Sequence, residues 1–161
     1  MKNSFFLLSA ILVTAACSKS EPSYVTIGDS LPDFSVTMND GSVVTSSELS
    51  SGNALVAFFH TDCGDCQNEL PVLQQFYDYH RNEVKFALIS REESEDEIFT
   101  YWKINDLAMP YSAQRTRRIF SLFAKDTIPR CYCVRDGVVT NMFGDNPIAT
   151  LGELERSFDL K

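Results

Sequence analysis

The sequence predicts an α/β fold: a central mixed sheet with helices on both faces and an N-terminal β-hairpin extension. Three observations predict it. Two near-continuous apolar runs, "GNALVAFFHT" and "VKFALIS", have the composition of strands buried on both sides. Between them Leu70, Leu73, Phe76 and Tyr77 recur at helical spacing, so the unit is strand–helix–strand with parallel strands. A later segment, "RCYCVRDGVVTNMFG", reads as a hairpin turning at Asp136-Gly137, which adds antiparallel strands. The 161 residues suit one domain, and an apolar content of 44% is enough to fill its core.

From the N-terminus, residues 1–16 read as a signal peptide. Lys2 precedes the apolar run "FFLLSAILV", which is too short to span a bilayer. Small residues then lead to Cys17. "TAAC" resembles a bacterial lipobox, in which cleavage leaves the cysteine as a new N-terminus carrying a diacylglycerol. Ala15, Ala16 and Cys17 fit that pattern, while Thr14 stands where Leu, Val or Ile is usual. The alternative is an ordinary signal peptide cut near Ala16, with Cys17 incidental. The expectation is a lipoprotein of the cell envelope, anchored at Cys17 and facing the periplasm. Its tether is residues 17–24 and its single domain residues 25–161. Lipid on one cysteine tethers a domain to a membrane without embedding it.

Within the domain, "FSVTM" and "SVVT" read as two strands around Asn39-Asp40-Gly41, residues that tolerate positive φ. The first buried strand runs into a helix at Cys63 or Gly64, which Pro71 is expected to kink. "EESEDEIFTYWKIN" reads as a helix with acids loading its first turn. Its inward face is Ile98, Tyr101 and Trp102, with Ile104 as a further candidate. "MPYSA" reads as a short extended piece, and "TRRIFSLFA" as a short helix with Ile119, Phe120 and Phe123 inward. "PIATLGELERSF" closes the chain as a helix, with Asn146 as N-cap and Pro147 in the first turn.

The net charge is −8, and −9 without a leader whose one charge is Lys2. An acidic chain with no basic stripe is not steered to nucleic acid. "RTRR" at 115–118 is too short to change that.

The chemistry concentrates in "FFHTDCGDCQNELP", residues 58–71. A cysteine pair at this spacing can clamp a metal, staple a loop or cycle between thiol and disulfide. Zinc needs two further ligands, and Cys131 and Cys133 lack the two-residue spacing of a second knuckle; no metal and no cofactor is expected. A disulfide over so short a loop restricts the unfolded chain little. The redox reading uses position. Cys63 stands where a buried strand ends and a helix begins, so unpaired N–H groups and the helix dipole face its sulfur and favour thiolate. Cys66, one turn further in, is shielded. The result is an exposed nucleophile with a buried resolver.

With its surroundings, "LPDFSVTMNDGSVVTSSELSSGNALVAFFHTDCGDCQNELP" resembles the opening of thioredoxin-fold redoxins, most of all the membrane-anchored TlpA-like thiol–disulfide oxidoreductases. The likeness continues through "TIPRCYCVRDGVV" and covers roughly residues 25–160. It implies a cis peptide at Ile128-Pro129, lying against the cysteine pair and offering the Ile128 backbone to an extended substrate. It also implies that Glu69 lies near the buried cysteine and shuttles its proton. Thioredoxins place an Asp inside the preceding strand, and here that strand offers Ala57. One departure is clear: the family usually has an aromatic residue before the first cysteine, and this chain has Asp62. With Asp65, two carboxylates flank Cys63. They oppose a thiolate there, which favours a reductant over an oxidant.

His60 reads as a capping or surface residue at a strand end, and His80 as favourable to a helix C-terminus. Cys131 and Cys133, on one face of a strand, read as small core residues. The sharper reading has Cys131 exchanging with the active pair and Arg130 facing substrate.

The expected activity is therefore reduction of protein disulfides through a mixed disulfide at Cys63. Cytochrome c apoprotein is among the substrates the resemblance suggests, and a membrane thiol electron donor restores the dithiol. The alternatives are a non-catalytic interaction domain on the same fold and a thiol peroxidase of the redoxin class, from whose motif this chain departs: Thr61 stands two rather than the more usual three residues before Cys63, and the earlier proline is missing.

Overall fold

The computed structural model describes residues 25–144 and 147–161. The leader, the tether and Asn146 lie outside the described residues.

The extension is a two-stranded antiparallel hairpin, β1 (Ser35–Thr37) and β2 (Val43–Thr45), with Val36 opposite Val44. Its turn places Gly41 at φ +85°, as the sequence requires. A single helical turn, α1 (Ser46–Leu49), follows directly. It forms because Thr45 and Glu48 close a reciprocal capping box, which satisfies N–H groups that four residues of helix cannot pair for themselves.

The central sheet has the order β4-β3-β5-β6. Strand β3 (Asn53–Phe59) is joined to β4 (Val84–Ser90) by the long helix α2 (Gly64–His80), and the two strands are parallel. On its other edge β3 pairs antiparallel with β5 (Arg130–Arg135), which turns into β6 (Val138–Phe143). The turn uses Asp136 at φ +49° and Gly137 at φ +80°, the backbone whose twist matches a two-residue hairpin. "MPYSA" is extended as predicted: Ser112 adds a parallel bridge to Ile89 on the outer side of β4.

Alternation along β3 divides the core. Val56 and Phe58 lie on one face with Tyr132, where Phe58 packs on Phe120 and Phe123. Ile119, Phe120 and Phe123 are buried as expected, but their segment is a 3₁₀ turn (Phe120–Leu122) rather than an α-helix. Leu55 and Ala57 lie on the other face, opposite Cys133 and Cys131. Helix α2 covers that face and runs unbroken past Pro71, burying Cys66, Glu69, Leu70, Leu73, Phe76 and His80. Helix α4 (Leu151–Ser157) packs beside it, with Phe76 stacked on Phe158 at 5.8 Å. His80 does more than complement a dipole. Its two ring nitrogens lie 3.4 Å from Glu83 and 3.3 Å from Glu155, which ties the end of α2 to α4.

Two expectations are corrected. Helix α3 (Glu95–Ile104) buries Ile98 and Trp102, but Ile104 is 77% exposed. Two residues beyond Trp102 is about 200° around the helix, so Ile104 faces away from the buried stripe. Helix α4 starts at Leu151, leaving Pro147 outside it. Thr150 is the N-cap, and its N–H and hydroxyl both donate to Glu153, at 3.0 and 2.5 Å.

Candidate active site

Cys63 is the N-cap residue of α2, with extended backbone (φ −87°, ψ 119°) and no side-chain capping bond. Its carbonyl accepts the first helical hydrogen bond, from Gln67 N–H at 2.9 Å. Its thiol is partly exposed and donates to the Ile128 carbonyl across 3.7 Å. The Ile128-Pro129 peptide is cis and buried. The strand-to-helix junction and the loop before β5 thus meet at the first cysteine, as the family resemblance implied.

Cys66 is fully buried. Burial above all, then a hydrogen bond with Cys63 and the nearby Glu69 carboxylate, push its thiol far above the ordinary range, against a backbone hydrogen bond from His60. Cys66 therefore holds its proton until something removes it.

Glu69 is 2% exposed. Its Oε1 accepts the Ala149 N–H at 3.0 Å, and its Oε2 accepts the Cys131 S–H at 3.4 Å. Burial raises the carboxyl's proton affinity, and these two donors partly oppose that. Glu69 is therefore a buried carboxyl of α2 and not one on the helix's solvated face. Ala57 explains the space: it stands opposite Cys131 on β5 and carries only a methyl group. The carboxylate that reaches this region comes from α2 instead of β3.

Asp62 and Asp65 are both exposed, one on each side of Cys63. Asp62 N–H donates to His60 Nδ1 at 3.2 Å, so His60 does cap the loop locally. Arg130 is half-buried and its Nε donates to the Thr127 carbonyl at 3.3 Å. Cys131 and Cys133 are both fully buried. Burial first, then the Glu69 charge, holds the Cys131 thiol well above its ordinary range, and Cys133 is pushed up to about 12, chiefly by burial. That suits the reading of both as core residues.

Sequence reasoning missed Glu93. This buried carboxylate accepts the Thr61 backbone N–H on both oxygens at 3.0 Å, and the Thr61 hydroxyl on Oε1. His60 Nδ1 lies 3.5 Å away. Glu93 precedes the α3 N-cap, Ser94, and was one acid among several in "EESEDE". No local signal separates it from its neighbours. Together with Thr61, Asp62, Asp96, Glu97 and Tyr101, it borders an open groove beside the cysteine loop.

The arrangement is a partly exposed thiol at a helix N-terminus, a shielded second thiol one turn away and a buried carboxyl behind it. The sequence profile of the AhpC/TSA family matches residues 27–142. The chain belongs to the AhpC/TSA family. This AhpC/TSA protein is 25% identical to the thiol–disulfide oxidoreductase ResA of Bacillus cereus over 122 residues, 74% of this chain and 70% of that one. A thioredoxin-family thiol:disulfide interchange protein of Chlorobium tepidum TLS superposes with a TM-score of 0.69 at 20% identity, covering 83% of this chain and 96% of that chain. A thio-disulfide isomerase of Thermus thermophilus gives 0.61 at 26% identity, covering 74% and 87%. The AhpC/TSA chain has the thioredoxin fold and is a thiol–disulfide oxidoreductase.

Proposed function

We propose that this oxidoreductase works as a reductant of protein disulfides outside the cytosol. The observation that carries the reading is the pairing of the partly exposed Cys63, under the Ile128 carbonyl, with the buried Cys66 and Glu69. The Cys63 thiolate attacks one sulfur of a substrate disulfide. A mixed disulfide forms and the other substrate sulfur leaves as a thiolate. Cys66 then gives its proton to Glu69 and attacks Cys63. The Cys63–Cys66 disulfide forms, and the second substrate sulfur departs and is protonated. Two electrons have passed from the protein to the substrate. The Ile128 backbone, beside Pro129, is the edge against which an extended substrate segment lies.

The direction follows from Asp62 and Asp65. Carboxylates on both sides of Cys63 stabilise no thiolate, and a dithiol without that stabilisation gives up its electrons more readily. A membrane thiol donor then restores the dithiol. Export, a lipid anchor on Cys17 and a periplasmic location rest on the leader pattern. Cytochrome c apoprotein is the substrate suggested by the resemblance to TlpA-like proteins. Peroxidase chemistry is disfavoured, because the Thr61 hydroxyl donates its proton to Glu93.

The test is the reduction potential of Cys63/Cys66 in the purified protein. A value near or below roughly −230 mV supports a reductant, and one near roughly −120 mV makes it an oxidant. Radiolabelled palmitate incorporation that disappears in Cys17→Ser tests the anchor separately.

A further inference from the structure

The geometry points to Cys131 as a positioning residue for the relay: its thiol, together with the Ala149 amide, holds the Glu69 carboxylate between β5 and α2 and tunes how readily it accepts the resolving proton. This rests on Glu69 being the proton acceptor of Cys66.

Each oxygen of Glu69 has one donor: the Ala149 N–H at 3.0 Å on Oε1 and the Cys131 S–H at 3.4 Å on Oε2. The amide belongs to the backbone and survives any side-chain change. Cys131 is the side chain that sets the second contact. Glu69 and Cys131 are 2% and 0% exposed, so water does not substitute readily for either. The titratable groups facing Glu69 among the described residues are Cys66 on its own helix and Cys131 and Cys133 on β5. The segment before α4 contributes the Ala149 amide, and β3 contributes Ala57, which does not titrate.

A thiol suits this place better than valine or alanine for a stated reason. While Glu69 is ionised, the S–H donates to it. Once Glu69 has taken the Cys66 proton, its O–H needs an acceptor, and sulfur can serve as a weak one. The same side chain partners both states of the relay. As a donor to the ionised form, it lowers the proton affinity that burial raises. Without it, the carboxyl stays protonated to higher pH and is a poorer acceptor at a given pH.

The experiment isolates the resolving step in the full-length protein. Dithiobis(nitrobenzoate) reacts at Cys63, and the second nitrothiobenzoate is released only when Cys66 attacks. The rate of that second release is followed by stopped flow from pH 5 to 9. In the wild type it rises as Glu69 ionises. In Cys131→Ala the midpoint of that rise is expected to move up by roughly half a pH unit, about threefold in rate on the rising limb. Cys131→Ser, which keeps a donor and an acceptor, restores the wild-type midpoint. Glu69→Gln removes the rise. If Glu69→Gln loses it while Cys131→Ala keeps the wild-type midpoint, the role of Cys131 is overturned and the relay stands. If Cys131→Ser shifts as far as Cys131→Ala, packing rather than hydrogen bonding is responsible and the proposal falls. A rise that persists in Glu69→Gln overturns the relay itself. Should Cys131→Ala not fold, Cys131→Val fills the space without a donor and the same comparison applies.

Discussion

Glu93 holds the cysteine loop by its backbone: both of its carboxylate oxygens accept the Thr61 N–H at 3.0 Å, two residues before Cys63. The Thr61 hydroxyl adds a third bond to the same group. A carboxylate in the loop between β4 and α3 thus fixes the exit of β3. Glu93→Ala leaves a buried N–H without its acceptor, which costs about 1–3 kcal/mol. The expected result is a lower urea midpoint with an unchanged slope, together with slower labelling of Cys63 by a maleimide. Glu93→Gln, which keeps an acceptor oxygen, is expected to recover most of both. A midpoint unaltered in Glu93→Ala would show that the loop does not depend on this clamp.

Glu69 gives stability a pH dependence of known sign. Its folded carboxyl is raised above the ordinary value of 4.5, mainly by burial. The folded state therefore binds the proton more tightly than the unfolded chain. The stabilisation is complete below the ordinary value and is lost as pH rises through the folded one. Glu69→Gln removes this contribution. The stability of the wild type minus that of Glu69→Gln is expected to fall steadily from about pH 4.5 toward neutrality. Urea titrations at several pH values measure it, and two parallel curves would contradict the burial-driven shift.

Much of this was legible in the sequence because the strongest signals were local. Strand β4 is the predicted run 84–90 residue for residue, because seven residues from Val84 to Ser90 must all pair. Cys63 and Cys66 fell on the N-cap and first turn of α2 because a buried strand ending just before them left little else for the chain to do. The hairpin at Asp136-Gly137 was fixed by the backbone those residues tolerate. Less was legible at the C-terminal helix, where Pro147 suggested an early start. The pair Thr150 and Glu153, three apart, was the better signal, and the same spacing recurs at Thr45–Glu48 and Ser94–Glu97. Glu93 and the Glu69–Cys131 contact were not legible at all. Each joins residues more than thirty positions apart, and periodicity within one element carries no information about such a pair.

The β5–β6 turn is pinned to the start of β3. Asp136 N–H donates to the Gly52 carbonyl at 2.9 Å, and its side chain accepts the Gly52 N–H at 2.8 Å. Gly137, at φ +80°, has Ser50 Cβ 3.0 Å from where a Cβ would stand. Gly137→Ala combines a left-handed backbone with a clash, and is expected to cost about 1–2 kcal/mol from the backbone alone. Thermal unfolding measures it. The reduction potential should not move, because the turn lies at the far end of β5 from Pro129. A potential that shifts with Gly137→Ala would mean that strain at the turn reaches the active pair.

The charges of Asp62 and Asp65 are expected to bias the direction of electron flow. Asp62 and Asp65 are exposed, so their influence on Cys63 passes through solvent and is screened by salt. Replacing both by Asn leaves the helix N-terminus facing Cys63 without opposing charge. The reduced form then gains more than the disulfide, because only the reduced form carries a thiolate. The potential of Asp62→Asn/Asp65→Asn is expected to rise by on the order of 10–30 mV at low ionic strength, since 30 mV is about 1.4 kcal/mol for this two-electron couple. At about 1 M salt, where the Debye length is near 3 Å, most of that difference should vanish. Equilibration against glutathione at both salt concentrations separates the outcomes. A rise that persists in high salt would assign the effect to local hydrogen bonding. No rise at either salt would remove the charge argument for a reductant, and leave the direction to be set by the electron donor alone.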